Sequence, residues 1–178
     1  VDAELRHRRA AVVGASALQL PDSPLVPGGP IAPVDFVIAG TLFLLREVEL
    51  VAAKVSHVTV APDTASVTWL LPTSKTDPRA VGVSRTWDCS CAVAGLESVC
   101  RVHALDRQVR RATAKANSLG LPLDDFPLFY TMDGREVDRH GAVGTVFSLV
   151  ERMGLPIRSA AGSYLYLSLI HISEPTRQ

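Results

Sequence analysis

The sequence has no net charge, too few cysteines for a disulfide framework and no long apolar run. Its 18 basic and 18 acidic residues balance, whereas a DNA-binding domain usually carries a basic excess. Its three cysteines cannot all pair with one another, and no secretory signal opens the chain, so we expect a reducing, intracellular setting. The apolar run 36–45 is too short to span a bilayer, and Arg46 interrupts it. The few cysteines and the short apolar run exclude a disulfide scaffold and a membrane span. The zero net charge argues mildly against nucleic-acid binding.

The composition indicates one globular domain, with segments at both ends of the sequence that do not belong to it. Apolar residues make up 47% of the 178 positions, which is enough for a sizeable core. Prolines and glycines are frequent over 21–33, where they break regular structure. We therefore interpret 1–33 as a helix end followed by a linker, and 34–162 as the domain. Because Val1 is not an initiator methionine, the N-terminus is expected to be incomplete. The tail 163–178 resembles translated sequencing adapter, with an ordinary C-terminal strand as the alternative.

The hydrophobic pattern predicts an α+β fold that is mainly α. A buried helix is expected over about 36–53, with Asp35 as its N-terminal cap. Apolar and polar residues alternate over 67–71 and 81–87, and with 55–60 they predict a small three-stranded antiparallel sheet. An amphipathic helix over 102–119 should end at Gly120, and Asp138 should cap a final helix.

The first candidate site is Arg46 with Glu49. A planar guanidinium donates two hydrogen bonds to one phosphate, and a carboxylate three residues later on a helix can orient it. The alternative is a surface ion pair on an ordinary helix.

Lys75 lies between the second and third strands, at the tip of a predicted hairpin, where a solvated turn lysine is the alternative. Ser74-Lys75-Thr76 is not read as a nucleotide-binding loop, because no glycines precede it.

The second candidate site is a group of soft metal ligands. Their spacing is Cys-x-Cys-x8-Cys-x2-His, which supplies four ligands for a closed, structural zinc site: Cys89, Cys91, Cys100 and His103. A helix start can present both residues of the Cys100-x2-His103 pair, so the site would join the exit of the third strand to the following helix. The alternative is three free thiols and a histidine that caps the helix.

The third candidate is the basic face of the predicted helix over 102–119. Arg107, Arg111 and Lys115 are spaced by four and can follow DNA phosphates, and Arg110 lies beside them. The alternative is a solvated helix face.

The spacing Leu45-Arg46-x-x-Glu49-Leu50, followed by strands and the hairpin with Lys75, resembles the catalytic domain of tyrosine recombinases, the phage-integrase family. It is most similar to the versions carried by eukaryotic mobile elements, and the resemblance covers about 33–162. A glycine is common where Leu44 stands, and a small residue where Val48 stands. Neither departure removes a chemical group.

The resemblance implies a role for each candidate residue. Arg46 would bind the scissile phosphate, Glu49 would support it, and Lys75 would protonate the leaving 5′-hydroxyl from the minor groove. A lysine can do so because its pKa falls when it is desolvated near other cations. Arg79, in the same loop, is a further candidate DNA contact. The implied partner is double-stranded DNA, bound by a homotetramer of the parent protein in the nucleus, with no metal or nucleotide cofactor at the chemical step.

The rest of the family's catalytic set is missing from the sequence. No His-x-x-Arg occurs, Tyr130 precedes the place where that box belongs, and Tyr164 and Tyr166 lie in the suspect tail. No nucleophile for a phosphotyrosyl link is therefore assigned. The expectation is an inactive fragment of a DNA recombinase. The alternatives are a non-enzymatic, zinc-linked DNA- or protein-binding module and a non-functional remnant of a mobile element.

Overall fold

Four α-helices and a three-stranded antiparallel sheet form the described part of the chain. The computed structural model describes residues 20, 22–43, 45–72, 82–89, 91 and 97–157. Its elements in chain order are α1 (Pro33–Leu42), α2 (Glu47–Val51), β1 (Val58–Val60), β2 (Ser66–Leu71), β3 (Val83–Asp88), α3 (Arg101–Leu119) and α4 (Arg139–Arg152), with 3₁₀ turns at Val55–His57 and Glu97–Val99. The predicted α+β, mainly helical class is confirmed. The helix end expected before residue 20 and the tail 163–178 lie outside the described residues.

The sheet has the order β1-β2-β3, with Val58 opposite Trp69 and Trp69 opposite Arg85. Val67, Trp69 and Leu71 of β2 are buried, whereas Thr68 and Leu70 between them are more exposed. The predicted alternation is therefore confirmed, since one face of the strand packs on the core. The first strand is shorter than predicted, because 55–57 forms a 3₁₀ turn.

The prediction of one continuous helix over 36–53 is wrong. α1 ends at Leu42, and α2 begins only at Glu47, after an extended Arg46 (φ −78°, ψ 156°). The Glu49 carboxylate accepts a hydrogen bond from the Arg46 N–H (2.9 Å), which replaces a bond to a preceding helical carbonyl. Leu45, immediately before the break, is fully buried. Packing on both sides of the break thus outweighs helix continuity.

The predicted cap of α1 is also wrong. The N-cap is Ala32, in the left-handed region (φ 54°), and Pro33 occupies the first helical position. Asp35 lies inside the first turn, buried to 4% exposure. Two arginines of α3 bind its carboxylate, so its partners lie in a distant part of the chain rather than in its own helix.

The ends of the later helices confirm their predictions. Gly120 ends α3 in the left-handed conformation (φ 65°), and the Leu121 N–H donates to the Ala116 carbonyl (3.0 Å). The Asp138 side chain caps α4 by accepting from the Gly141 N–H (2.6 Å). None of the described helices is long and apolar enough to cross a lipid bilayer.

The loop before α1 packs directly on the backbone of α4. A Cβ built on Gly141 would overlap the carbonyl group of Gly28, whereas one built on Gly144 would lie 3.2 Å from a Val26 methyl group. We therefore expect Gly141→Ala to lower the free energy of unfolding by about 1–3 kcal/mol through overpacking. Gly144→Ala, in the same helix, should be near neutral or stabilising by up to about 1 kcal/mol. Chemical denaturation of both variants measures the difference, and equal stabilities would contradict this packing.

Candidate functional site

The four predicted metal ligands come together where β3 meets α3. Cys89 follows the last residue of β3, and Cys91 lies two residues further on. Cys100 is the N-cap of α3, and His103 lies in the first turn of that helix. A helix start therefore presents Cys100 and His103 side by side, as the sequence predicted. The four ligand atoms lie within 4.8 Å of one another.

Their distances fit a single tetrahedral ion. The Sγ atoms of Cys89 and Cys100 are 3.7 Å apart, and the His103 Nδ1 atom lies 3.1 Å from the Cys91 Sγ and 3.8 Å from the Cys89 Sγ. An ion with metal–sulfur bonds of about 2.3 Å spaces its sulfur ligands about 3.8 Å apart in a tetrahedron. The group can therefore hold a metal ion, and all four positions would be filled by protein.

Without a cation, burial and the two neighbouring thiols disfavour ionisation of Cys91. Desolvation, followed by hydrogen bonds to and charge repulsion from Cys100 and Cys89, raises the pKa of the Cys91 thiol to about 12. The Cys91 N–H donates to the Cys89 Sγ (3.4 Å), a bond that becomes stronger once that sulfur carries charge. A bound cation reverses the local preference, because thiolates are the species that ligate it.

Arg46 lies in the wall of a separate cleft of about 630 Å³. Three cationic or titratable side chains line it, namely Arg46, Lys54 and His57. Two acids, Glu49 and Asp125, and five other residues complete the lining: Val48, Ala52, Trp69, Leu71 and Pro72. A second cleft of similar volume lies beside 24–29 and contains none of the predicted site residues.

Glu49 fixes the backbone of Arg46 more firmly than its side chain. One Glu49 oxygen accepts from the Arg46 N–H (2.9 Å), while the other lies 4.0 Å from the Arg46 guanidinium. The Glu49 side chain is 13% exposed and that of Arg46 37%. The carboxylate therefore holds the residue in place and leaves its guanidinium fork available to a ligand.

Two residues of this cleft were missed from the sequence. The His57 Nδ1 atom accepts a hydrogen bond from the Lys54 N–H (3.2 Å), and Lys54 Nζ pairs with Glu136. Burial, and secondarily the charge of Lys54, lowers the pKa of His57, which favours its neutral form. A lysine and a histidine three residues apart do not indicate a binding site in a sequence. The cleft forms only when α2, the 3₁₀ turn and β2 come together in the fold.

Lys75 and Arg79 lie outside the described residues. β2 ends at Leu71, Pro72 lines the cleft, and β3 resumes at Val83 as an antiparallel neighbour. The connection that carries both residues therefore leaves β2 at the edge of the Arg46 cleft. Their predicted roles remain predictions.

The basic face of α3 is largely directed at another part of the protein. Arg107 and Arg111 both bind the buried Asp35 carboxylate, with the Arg111 Nη1 atom 2.7 Å from its Oδ2. Arg111 also binds Asp22 through two hydrogen bonds of 2.9 and 3.0 Å. Burial alone lowers the pKa of Arg111, but hydrogen bonds and charge attraction from Asp35 and Asp22 outweigh it and raise that pKa. Two of the four predicted DNA contacts on α3 thus have an internal structural role.

The other two basic residues of α3 are placed differently. Arg110 is exposed and pairs with Asp106 on the same helix (3.0 Å), an exposed contact of little energetic value. Lys115 is partly buried, with its side chain near Gly134. A DNA contact by either residue remains a prediction.

No family model, curated protein or solved structure matches this chain.

Replacing the buried carboxylate tests its structural role. Asp35→Asn leaves two arginines without their shared partner, so the free energy of unfolding should fall by about 2–4 kcal/mol, discounted for the partial exposure of both arginines. Asp106→Asn, which removes only the exposed pair on α3, should cost less than about 0.5 kcal/mol. Chemical denaturation compares the two variants. Similar losses would show that Asp35 does not join α1 to α3.

Proposed function

We propose that this chain is a DNA-binding piece of a tyrosine-recombinase catalytic domain, in which Arg46 holds a backbone phosphate. One observation carries the proposal: Arg46, anchored by Glu49, lies in a cleft together with Lys54 and His57. The pairing of an arginine with a glutamate three residues later is one of the features on which the sequence resemblance rests, together with the following strands and the hairpin that carries Lys75.

The chemistry of the cleft suits a phosphodiester. The guanidinium of Arg46 donates two parallel hydrogen bonds to the non-bridging oxygens. Trp69 and Leu71 also line the cleft, and apolar surroundings reduce the competition of water for these hydrogen bonds. The resemblance gives Lys75 the role of proton donor to the leaving 5′-hydroxyl in the parent protein, and Arg79, in the same connection, the role of a DNA contact. Without a His-x-x-Arg box, the sequence as printed should bind duplex DNA and not cleave it.

The parent activity is strand exchange through a phosphotyrosine, which conserves the energy of the broken bond and uses no nucleotide or catalytic metal. Nuclear double-stranded DNA is the corresponding partner, and the parent protein would act as a homotetramer on DNA. Exposed Arg110, and Lys115 with it, would add salt-sensitive contacts to the backbone.

Loss of the arginine fork tests the DNA-binding proposal. Arg46→Ala should weaken binding to a short fluorescent duplex by about 10- to 100-fold, because it removes charge-assisted hydrogen bonds to phosphate. The slope of log affinity against log salt should also become shallower by about one. Arg152→Ala, an exposed arginine at the end of α4, serves as the control of equal charge. Fluorescence anisotropy at several salt concentrations gives both quantities. Equal affinities for the two variants would refute a phosphate site at Arg46.

We also propose that Cys89, Cys91, Cys100 and His103 bind Zn²⁺ as a structural ion. The tetrahedral spacing of one nitrogen and three sulfur atoms supports this choice, since thiolate-rich tetrahedral sites select zinc among the common divalent ions. With all four positions supplied by protein, the ion would have no open position for a substrate. It would join the end of β3 to the start of α3.

A histidine pair in this chain provides a matched test of the zinc site. His103→Asn should lower zinc affinity by at least about tenfold, because one of four ligands is lost. His140→Asn, on the exposed start of α4, should leave it unchanged. Competition with a chromophoric chelator measures affinity, and substitution by Co²⁺ should give the absorption of a tetrahedral site. Protein purified without zinc that also gives an octahedral Co²⁺ spectrum would refute the site.

The two experiments together separate the recombinase proposal from the zinc-linked binding module. If DNA binding depends on Arg46, the cleft is the binding site and zinc is a support. If DNA binding survives Arg46→Ala but is lost in His103→Asn, the zinc-linked module is the better account.

A further inference from the structure

His57 occupies an unusual position in the Arg46 cleft. It ends the 3₁₀ turn Val55–His57, immediately before β1, and its partly buried ring forms part of the cleft wall. Its partner on one side is the backbone of Lys54, three residues earlier. The ring is therefore held in one orientation by a bond within its own turn.

That bond determines which nitrogen carries the proton. Because Nδ1 accepts from the Lys54 N–H, the neutral ring must carry its hydrogen on Nε2. The lowered pKa of His57, caused by burial and then by Lys54, is consistent with this neutral form. Within the described part of the chain, Nε2 has no hydrogen-bond partner. The ring thus has one donor to offer to a ligand.

The other polar groups of the wall favour an acceptor-rich ligand. The indole Nε1 of Trp69, a residue with 1% exposure, also lacks a hydrogen-bond partner among the described residues. The carboxylate of Glu49 is used by the Arg46 backbone, and Lys54 Nζ pairs with Glu136. Asp125 is the exposed acid at this cleft and opposes an anion there. Because the Trp69 Nε1 atom is itself buried, the donors that remain open to a ligand are those of Arg46 and His57.

We infer that His57 is a further phosphate-binding residue of this cleft, donating from Nε2 to a non-bridging oxygen of the DNA backbone beside Arg46. The inference rests on the proposed DNA-binding function. A neutral donor adds a hydrogen bond without adding charge. It therefore fixes the position of the phosphate and does not increase the general electrostatic attraction to DNA. Its contribution should appear in affinity and leave the salt dependence unchanged.

Two substitutions separate the roles of the two ring nitrogens. In His57→Asn, the amide oxygen can replace Nδ1 as the acceptor for Lys54, but nothing replaces the Nε2 donor. In His57→Gln, the amide nitrogen can replace Nε2, while the acceptor for Lys54 is lost. His57→Asn should therefore keep its thermal stability and lose about tenfold in affinity for a short fluorescent duplex. His57→Gln should keep most of the affinity and lose stability.

A direct measurement complements the variants. In imidazole ¹⁵N spectra, Nε2 should be the protonated nitrogen of the free protein, and adding the duplex should shift Nε2 and leave Nδ1 nearly unchanged. If Arg46→Ala weakens binding but His57→Asn does not, and Nε2 does not respond to DNA, the role of His57 is overturned while the DNA-binding proposal stands. If neither variant alters binding, the proposed function itself fails.

Discussion

The buried carboxylate of Asp35 is the constraint on which the arrangement of both candidate sites depends. It lies in the first turn of α1 and binds Arg107 and Arg111 of α3, while Arg111 also reaches Asp22 in the preceding loop. A buried acid is tolerated only when it is paired, so the two helices are held in one register. α1 precedes Arg46 in the chain, while Cys100 is the N-cap of α3 and His103 lies in its first turn. The ion pairs thus fix the two segments that carry the candidate chemistry relative to one another.

A second carboxylate sets the direction of the chain at the cleft. Glu49 ends the extended segment at Arg46 by accepting from its N–H, and the buried Leu45 and Leu50 pack on either side of the break. An arginine inside a continuous apolar helix would have to be buried or paired. Placed instead at the start of a short helix, it keeps about a third of its side chain exposed beside the cleft. The break in the helix therefore makes Arg46 accessible.

The features predicted correctly from the sequence are those determined by neighbours in the chain. The alternation in β2, the glycine that ends α3 and the aspartate that caps α4 each depend on residues within a few positions. The pairing of Cys100 with His103 belongs to the same class, since a helix start determines it.

Several errors involve distant partners, whereas the shortening of β1 comes from a local 3₁₀ turn. An acid near a helix start was predicted to be a cap, but Asp35 is bound by residues 72 and 76 positions away. The cleft residues Lys54 and His57 were missed, because three separate segments build that wall. The uniform hydrophobicity of 36–45 also concealed the break before Arg46, since packing from several elements decides it.

The position of β3 suggests why a metal site and a phosphate-binding cleft would occur in one small domain. Arg85 of β3 donates to the Phe43 carbonyl, three residues before Arg46, and Trp87 stacks under Arg101 at the start of α3 (4.0 Å to the ring centroid). In the chain, β3 follows the connection that carries Lys75 and leads into Cys89. Much of β3 is exposed, so burial alone holds it weakly. An ion at Cys89 would join this end of β3 to α3 and thereby hold the strand that contacts the Arg46 segment. Under the proposed function, the metal would then support the phosphate site through a strand rather than by touching DNA.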